Sequence, residues 1–329
     1  MARETGCGAR YPVTRLLRAL DGFWFSPAPA ARLAVLRILV GAFALWLVSS
    51  HYSMWVEIGR SSPTLFAPVG PVALLRHPLS PEVNQGLLVA TLVANVLFVL
   101  GWRHRVTGPV FAALLLWVLS YRLSWSMIYH SMNLVALHAL VLGFAPAADA
   151  LSLDARRATA MVVGRDPAGA WQYGFAIRLL CAVTALAYFV TGLAKVASPM
   201  GWSWATGEVI RSQVAADALR KDVLGETGGP LFQLLYDHVW LFTMMGILTF
   251  VVELGAPLAL LNKRAGQVWA VIAFLMHWGI LFIMGITFPY HLSGILYAPF
   301  FDVERLVGRR QARGRRRSNR LIPLYPGTP

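Results

Sequence analysis

Cysteine and acidic side chains are the scarcest chemistry in this 329-residue chain, with two of the former and 15 aspartates and glutamates together. Cys7 and Cys181 fall in an arginine-rich N-terminal arm and inside a long apolar run. They are not expected to meet, so neither a disulfide nor a metal site is expected. Charged residues of all kinds reach only 13% against 57% hydrophobic, and mean hydropathy is +0.59. Those values exclude the two soluble domains that the length alone would allow. Residues 1–30 lack both an apolar core and a small-residue cleavage site, so the first span is expected to be an uncleaved anchor. Internal repeats are missing too, which weighs against a transporter.

What remains is a set of apolar runs, several near the about 20 residues that a bilayer crossing needs. They predict an all-α, polytopic integral membrane bundle of about eight transmembrane helices, over 31–50, 86–102, 108–123, 127–144, 171–196, 239–261, 265–286 and 289–301. The last is short, either an eighth span or a re-entrant piece. Residues 1–30 read as an amphipathic arm on the membrane surface, 31–301 as the transmembrane domain, and 302–329 as a basic tail. The polar stretch 197–238 contains a surface helix by its periodicity.

The net charge of +14 is concentrated, not spread. Arg305, Arg309, Arg310, Arg313, Arg315, Arg316, Arg317 and Arg320 follow the last apolar run and suit a cytoplasmic tail against anionic lipid. No aromatic groove accompanies them, so nucleic acid is not an expected partner. Positive clusters at the N-terminus, at Arg103 and Arg105, at Arg156, Arg157 and Arg165, and at Lys263 and Arg264 fall on one side if the number of crossings is even. Both termini are therefore expected in the cytoplasm of a plasma-membrane protein.

Lys195, at the edge of a span, has two readings. It snorkels to the headgroups as an anchor, or it serves a functional site. The same topology brings His130, His277, His291, His51 and Asn133 toward the outer half of the bundle, His130 and Asn133 sharing one helix face at i, i+3. Polar groups in lipid need partners, and their convergence favours a polar, outward-facing site. Burial lowers an amine's pKa and makes it a base, so Lys195 with His130 and His277 is the expected catalytic set. Asn133, His291 and Trp202 are its expected binding residues, although Trp202 with Trp204 also fits an interfacial aromatic belt. Arg37, Arg178 and Glu253 are expected nearer the cytoplasmic half in buried ion pairs, with Arg178–Glu253 as one pair.

Phe189-Val-Thr-Gly-Leu-Ala-Lys195 followed by Trp202 resembles the Gly-x-x-Lys…Trp segment of the vitamin K-dependent γ-carboxylase membrane domain, the HTTM domain. Leu36-Arg37-Ile-Leu-Val-Gly41, Tyr129-His130-Ser-Met-Asn133, Val252-Glu253-Leu-Gly-Ala-Pro257, and Met276-His277 through Phe288-Pro-Tyr290 are similar to other pieces of it, in the same order. The resemblance implies that Lys195 deprotonates a membrane quinol of the vitamin K type, with His130 and His277 assisting, and that oxygen then converts the quinol anion to a stronger base. The carboxylase's large lumenal domain is not expected after the basic tail, so carboxylation of a recognised protein glutamate is not the expected outcome. A second implication comes from members that hold only the membrane domain. The sporulation-delaying protein B type assists maturation of a secreted peptide, so a secreted peptide is an alternative partner and a non-enzymatic role the alternative function.

Overall fold

The computed structural model describes residues 12–125, 132–161, 169–226 and 229–306. Among them the chain is helical, with one isolated antiparallel bridge between Ala28 and Ala170. Helix α1 (Pro12–Trp24) is the expected arm and leads into α2 (Ala30–Ser50), the central helix of the bundle. Leu33, Leu36, Val40, Ala44 and Val48 of α2 are essentially inaccessible. After a short α3 (Tyr52–Ile58) and two 3₁₀ turns, α4 (Pro81–Leu100) returns and α5 (His104–Leu123) crosses again. The region before α4 packs down, with Trp55 buried.

Tight helix ends hold this half together. Ser80 caps α4 by accepting from Val83 N, with Pro81 at the first helical position. Gly101 ends α4 in the left-handed region at φ 62°. A Cβ there would lie 2.5 Å from Ser152 Cβ and 2.7 Å from the Arg37 guanidinium, so only glycine fits. Asp154 caps α5 by accepting from the backbone N–H groups of Arg103 and His104, both at 2.8 Å.

Helix α6 (Asn133–Phe144) is the described part of the fourth span, residues 126–131 lying outside the description. It crosses α5 at Gly108 and Gly143, where a Cβ on either glycine would come within 2.5–2.7 Å of the other's carbonyl oxygen. Small residues at such a crossing let backbones approach where lipid supplies no hydrophobic drive. Helix α7 (Leu153–Met161) follows on the surface, and then α8 (Trp171–Ala197), the longest helix. The residue before a proline disfavours the α region. Ser198, preceding Pro199, is accordingly extended and stops α8.

The stretch 197–238 folds as α9 (Ser203–Thr206), α10 (Glu208–Val223) and α11 (Phe232–Leu235), with α10 the expected surface helix. The sixth span is not one helix. Helix α12 (Val239–Leu254) stops at Gly255 and Pro257, and the chain continues as a 3₁₀ segment, Ala256–Leu260. Helix α13 (Lys263–Met284) then runs the length of the bundle, its first turn capped by Asn262.

The short run 289–301 resolves into α14 (Pro289–Leu292) and a 3₁₀ segment, Ile295–Phe300. It begins beside His277 of α13, against which Phe288 and His291 pack, and ends where Asp302 pairs with Lys263, at the start of α13, and with Arg32, at the start of α2. The chain thus runs back along α13 toward its start in an irregular conformation. Tyr290, Leu296, Tyr297 and Phe300 along it are all buried. Non-helical backbone at membrane depth is tolerated where protein surrounds it.

Five helices are long and apolar enough to cross a membrane: α2, α4, α5, α8 and α13, with α6 and α12 shorter but apolar. Val89, Val93, Val96 and Leu100 form an exposed stripe on α4, and Trp240, Met244, Ile247 and Val251 another on α12. Stripes of this kind would be a liability in water and are the normal lipid-facing surface of a membrane bundle. The end that holds Arg32, Lys263 and Asp302 is termed basal below, and the end that holds Lys195 distal.

Candidate functional site

Lys195 lies in the last turn of α8, where a cation also complements the helix dipole. Its Nζ donates to Glu253 Oε1, and this ion pair ties the end of α8 to the end of α12. The side chains are 17% and 7% exposed, so neither charge is free in solvent. Two features make the approach possible. Gly192 sits opposite Glu253, where a Cβ would come within 2.9 Å of the Glu253 Cβ. Glu253 itself stands in the last turn of α12, ahead of the break that follows Leu254. Glu253 Oε2 is buried and accepts no hydrogen bond among the described residues. Trp204 offers its indole face to the Lys195 ammonium at 5.5 Å, a cation–π contact.

Two turns before Lys195 on the same helix, Tyr188 enters a second polar group. Its hydroxyl lies 2.6 Å from that of Tyr297 and 3.3 Å from His277 Nδ1. His277 Nδ1 is also 3.3 Å from Tyr297 Oη and 2.9 Å from the Ala273 carbonyl. The ring of His291 stacks on that of His277 at 4.2 Å, with Phe288 edge-on to both. Deeper in the core, Tyr290 donates from its hydroxyl to His138 Nδ1 at 2.8 Å, while His138 Nε2 meets Thr184 Oγ1 at 3.0 Å. Thr184 gives its own proton to the Leu180 carbonyl, which fixes His138 as the Nε2–H tautomer.

The expected catalytic and binding residues are thus partly gathered. His277 and His291 come together, below Lys195 on the α8 side. His130 lies outside the described residues. Asn133 is exposed at the start of α6, and His51 is tied to the Leu47 carbonyl and stacked on Trp55, away from the group. Trp202 is 64% exposed against Phe250, and it is Trp204 that faces the lysine.

Two expected ion pairs are overturned. Glu253 is held by Lys195, not by Arg178, whose guanidinium sits 4.8 Å over the Phe23 ring of the arm. Arg37 is fully buried, but it donates to the carbonyls of Ala147, Val99 and Leu151 and has no carboxylate partner among the described residues. Three carbonyls, that of Val99 in the last turn of α4 and those of Ala147 and Leu151 in the loop before α7, take the place of a counter-ion there, the first adding the negative pole of α4.

Sequence reasoning missed Glu253, Tyr188 and Tyr297 as neighbours of the expected site. The signal for Glu253 was the Gly255-Ala-Pro257 break two residues on, which marks a helix end rather than the middle of a span. Tyr188 stands seven residues before Lys195, hence on the same face of α8.

The HTTM domain family model matches residues 25–303, most of the chain. No curated protein and no solved structure matches it.

Proposed function

The chain belongs to the HTTM domain family of membrane proteins, and from that premise we propose that the Lys195–Glu253 pair is the proton-handling centre of a site that acts on a membrane quinol. The observation that carries this reading is the buried Glu253 Oε2, an acceptor left open beside an ammonium and an indole face. A quinol is a flat aromatic diol. Its hydroxyl suits the open carboxylate oxygen, and its ring suits Trp204. When bound it supplies an acidic hydroxyl and a reductant for oxygen.

The residues of this chain supply the rest. Moving one proton along the Lys195–Glu253 hydrogen bond exchanges ammonium and carboxylate for amine and carboxylic acid. Either form leaves one member of the pair able to accept a proton and the other able to donate. The Tyr188–Tyr297–His277 group gives a second set of exchangeable protons two turns away on α8. Basic loops and the basal arm support a cytoplasmic position for that end, with the pair facing outward from the plasma membrane. This is carboxylase-like chemistry without an assigned acceptor.

The test is oxygen uptake by the purified protein on addition of a reduced menaquinone. Wild type is compared with a Lys195→Met/Glu253→Leu double variant, which removes both charges together and leaves neither buried alone. Uptake should require the wild-type pair. Equal uptake by a folded double variant would overturn the reading.

A second reading, assistance to a secreted peptide, is favoured by one observation. Leu219, Val223, Leu224 and Leu234 are each more than 60% exposed on the distal segment. A photo-crosslinker at Val223 should then capture a small exported peptide, and capture of lipid alone would sink it.

A further inference from the structure

A cavity of about 210 Å³ lies at the basal end, remote from Lys195. A single water needs only about 10–15 Å³ on this measure, so the space takes a group of several heavy atoms. Its mouth is cationic. Arg32 of α2, Arg178 of α8 and Lys263 of α13 line it, and no carboxylate does among the described residues. Arg32 and Lys263 are partly spent, since both reach Asp302 and Arg32 also reaches Glu304. Arg178 is different. It forms no ion pair among the described residues, and its guanidinium is kept beside the cavity by the Phe23 ring.

The backbone adds to this field. The cavity touches the first turns of α2, α8 and α13, at Arg32, Gly174 and Gly266, so three helix N-termini converge on one space. Each contributes positive potential. Gly174 could not be larger, because a Cβ there would lie 1.7 Å from the Ser26 carbonyl oxygen. The inner wall is apolar, formed by Ile177, Cys181, Leu260 and Phe300. A cationic mouth over an apolar wall is the shape of a site for an amphiphile with a negative head.

We propose that this cavity binds a phosphate ester, its phosphoryl oxygens on Arg178, Arg32 and Lys263, and that the source is the headgroup of an anionic phospholipid. Guanidinium groups match phosphate oxygens in a two-pronged fashion, and charge-assisted bonds of this kind are the strong ones. The site joins the arm to the bundle, because Arg178 holds both the ligand and Phe23. It does not depend on any chemistry at Lys195.

The experiment is native mass spectrometry of the purified chain released from mixed micelles, counting retained phosphatidylglycerol against phosphatidylcholine. Wild type should keep one phosphatidylglycerol, and Arg178→Gln should retain it about tenfold less or worse. Arg178→Lys, which keeps the charge but loses the fork, should fall between. Competition by millimolar inorganic phosphate would assign the same site to free phosphate instead of lipid. Should Arg178→Gln fail to fold, Cys181 supplies a second readout. In a Cys7→Ser protein, alkylation of Cys181 should be slowed by phosphatidylglycerol and not by phosphatidylcholine. Equal retention of both lipids, with alkylation indifferent to both, would overturn the proposal.

Discussion

Lys195 and Glu253, 58 residues apart in sequence, are joined by a hydrogen-bonded ion pair that locks the end of α8 to the end of α12. A pair this far from water costs several kcal/mol to desolvate, and its mutual attraction offsets the penalty only while both partners are present. That asymmetry makes the usual single-lysine test ambiguous. Lys195→Ala leaves Glu253 buried with neither oxygen paired, and should lower stability by about 3–5 kcal/mol. Lys195→Met/Glu253→Leu, which has no stranded charge, should recover most of that loss. Chemical unfolding in detergent, followed by tryptophan fluorescence, checks both values. A double variant as unstable as the single one would show that the pair stabilises by its own attraction.

The His138 tautomer makes a second expectation. Its Nδ1 accepts from Tyr290 in a region with no exposure for either ring to speak of, at 0% and 1%. Tyr290→Phe removes the donor while leaving the shape, so a buried acceptor goes unmet. The cost should be about 1–3 kcal/mol in unfolding free energy. Thr184→Val, which strands Nε2–H on the other side, should cost a similar amount. The two changes should not add, because both act on one imidazole.

Much of the fold was legible because apolar runs and their interruptions are local properties. The limits of α2, α8 and α13 fall within a few residues of the runs 31–50, 171–196 and 265–286. Legibility failed where an element departs from a straight helix. Residues 289–301 are too short for a helical crossing and run back along the bundle in an irregular conformation, their backbone shielded by α2, α8 and α13. Glu253 was assigned the wrong partner because depth counted residue by residue from the start of the sixth span sets it well beyond Lys195, whereas the two meet. Arg37 was assigned a carboxylate because carbonyl oxygens leave no trace in a sequence. Among the site residues, His277 and His291 were found by their type and span position, and Tyr297 was not, because its neighbours come from folding of the irregular return.

The α5–α6 crossing gives a third prediction. Gly108 and Gly143 each face the other's carbonyl oxygen, so a methyl group on either meets backbone, which cannot rotate away. Gly108→Ala or Gly143→Ala should push the helices apart and cost about 1–3 kcal/mol. Gly86→Ala is the control, since nothing lies within 4 Å of its Cβ position. Alanine has the higher helix propensity, so that change should be neutral or stabilising by up to about 1 kcal/mol. Equal melting temperatures for all three variants would refute the close approach.

The last prediction concerns pH at the basal end. Burial pushes the Asp302 carboxyl up, but the hydrogen bond from Lys263 and the charges of Arg32, Lys263 and Arg305 outweigh it, and the group sits below its ordinary value of 3.8. A carboxyl that loses its proton more readily in the folded state binds more protons when unfolded. Its contribution to stability is therefore present in full above pH 3.8 and is lost as the pH falls through the folded value. Asp302→Asn should lower the melting temperature at pH 7, because Arg32, Lys263 and Arg305 then lose the carboxylate they share. The same variant should show a shallower fall in melting temperature than wild type as pH drops below about 4. Parallel melting curves for the two proteins across that window would mean that Asp302 is not what anchors the returning chain to α2 and α13. Glu304, which meets Arg32 through two hydrogen bonds of 2.6 and 2.8 Å, would then be the residue to remove next.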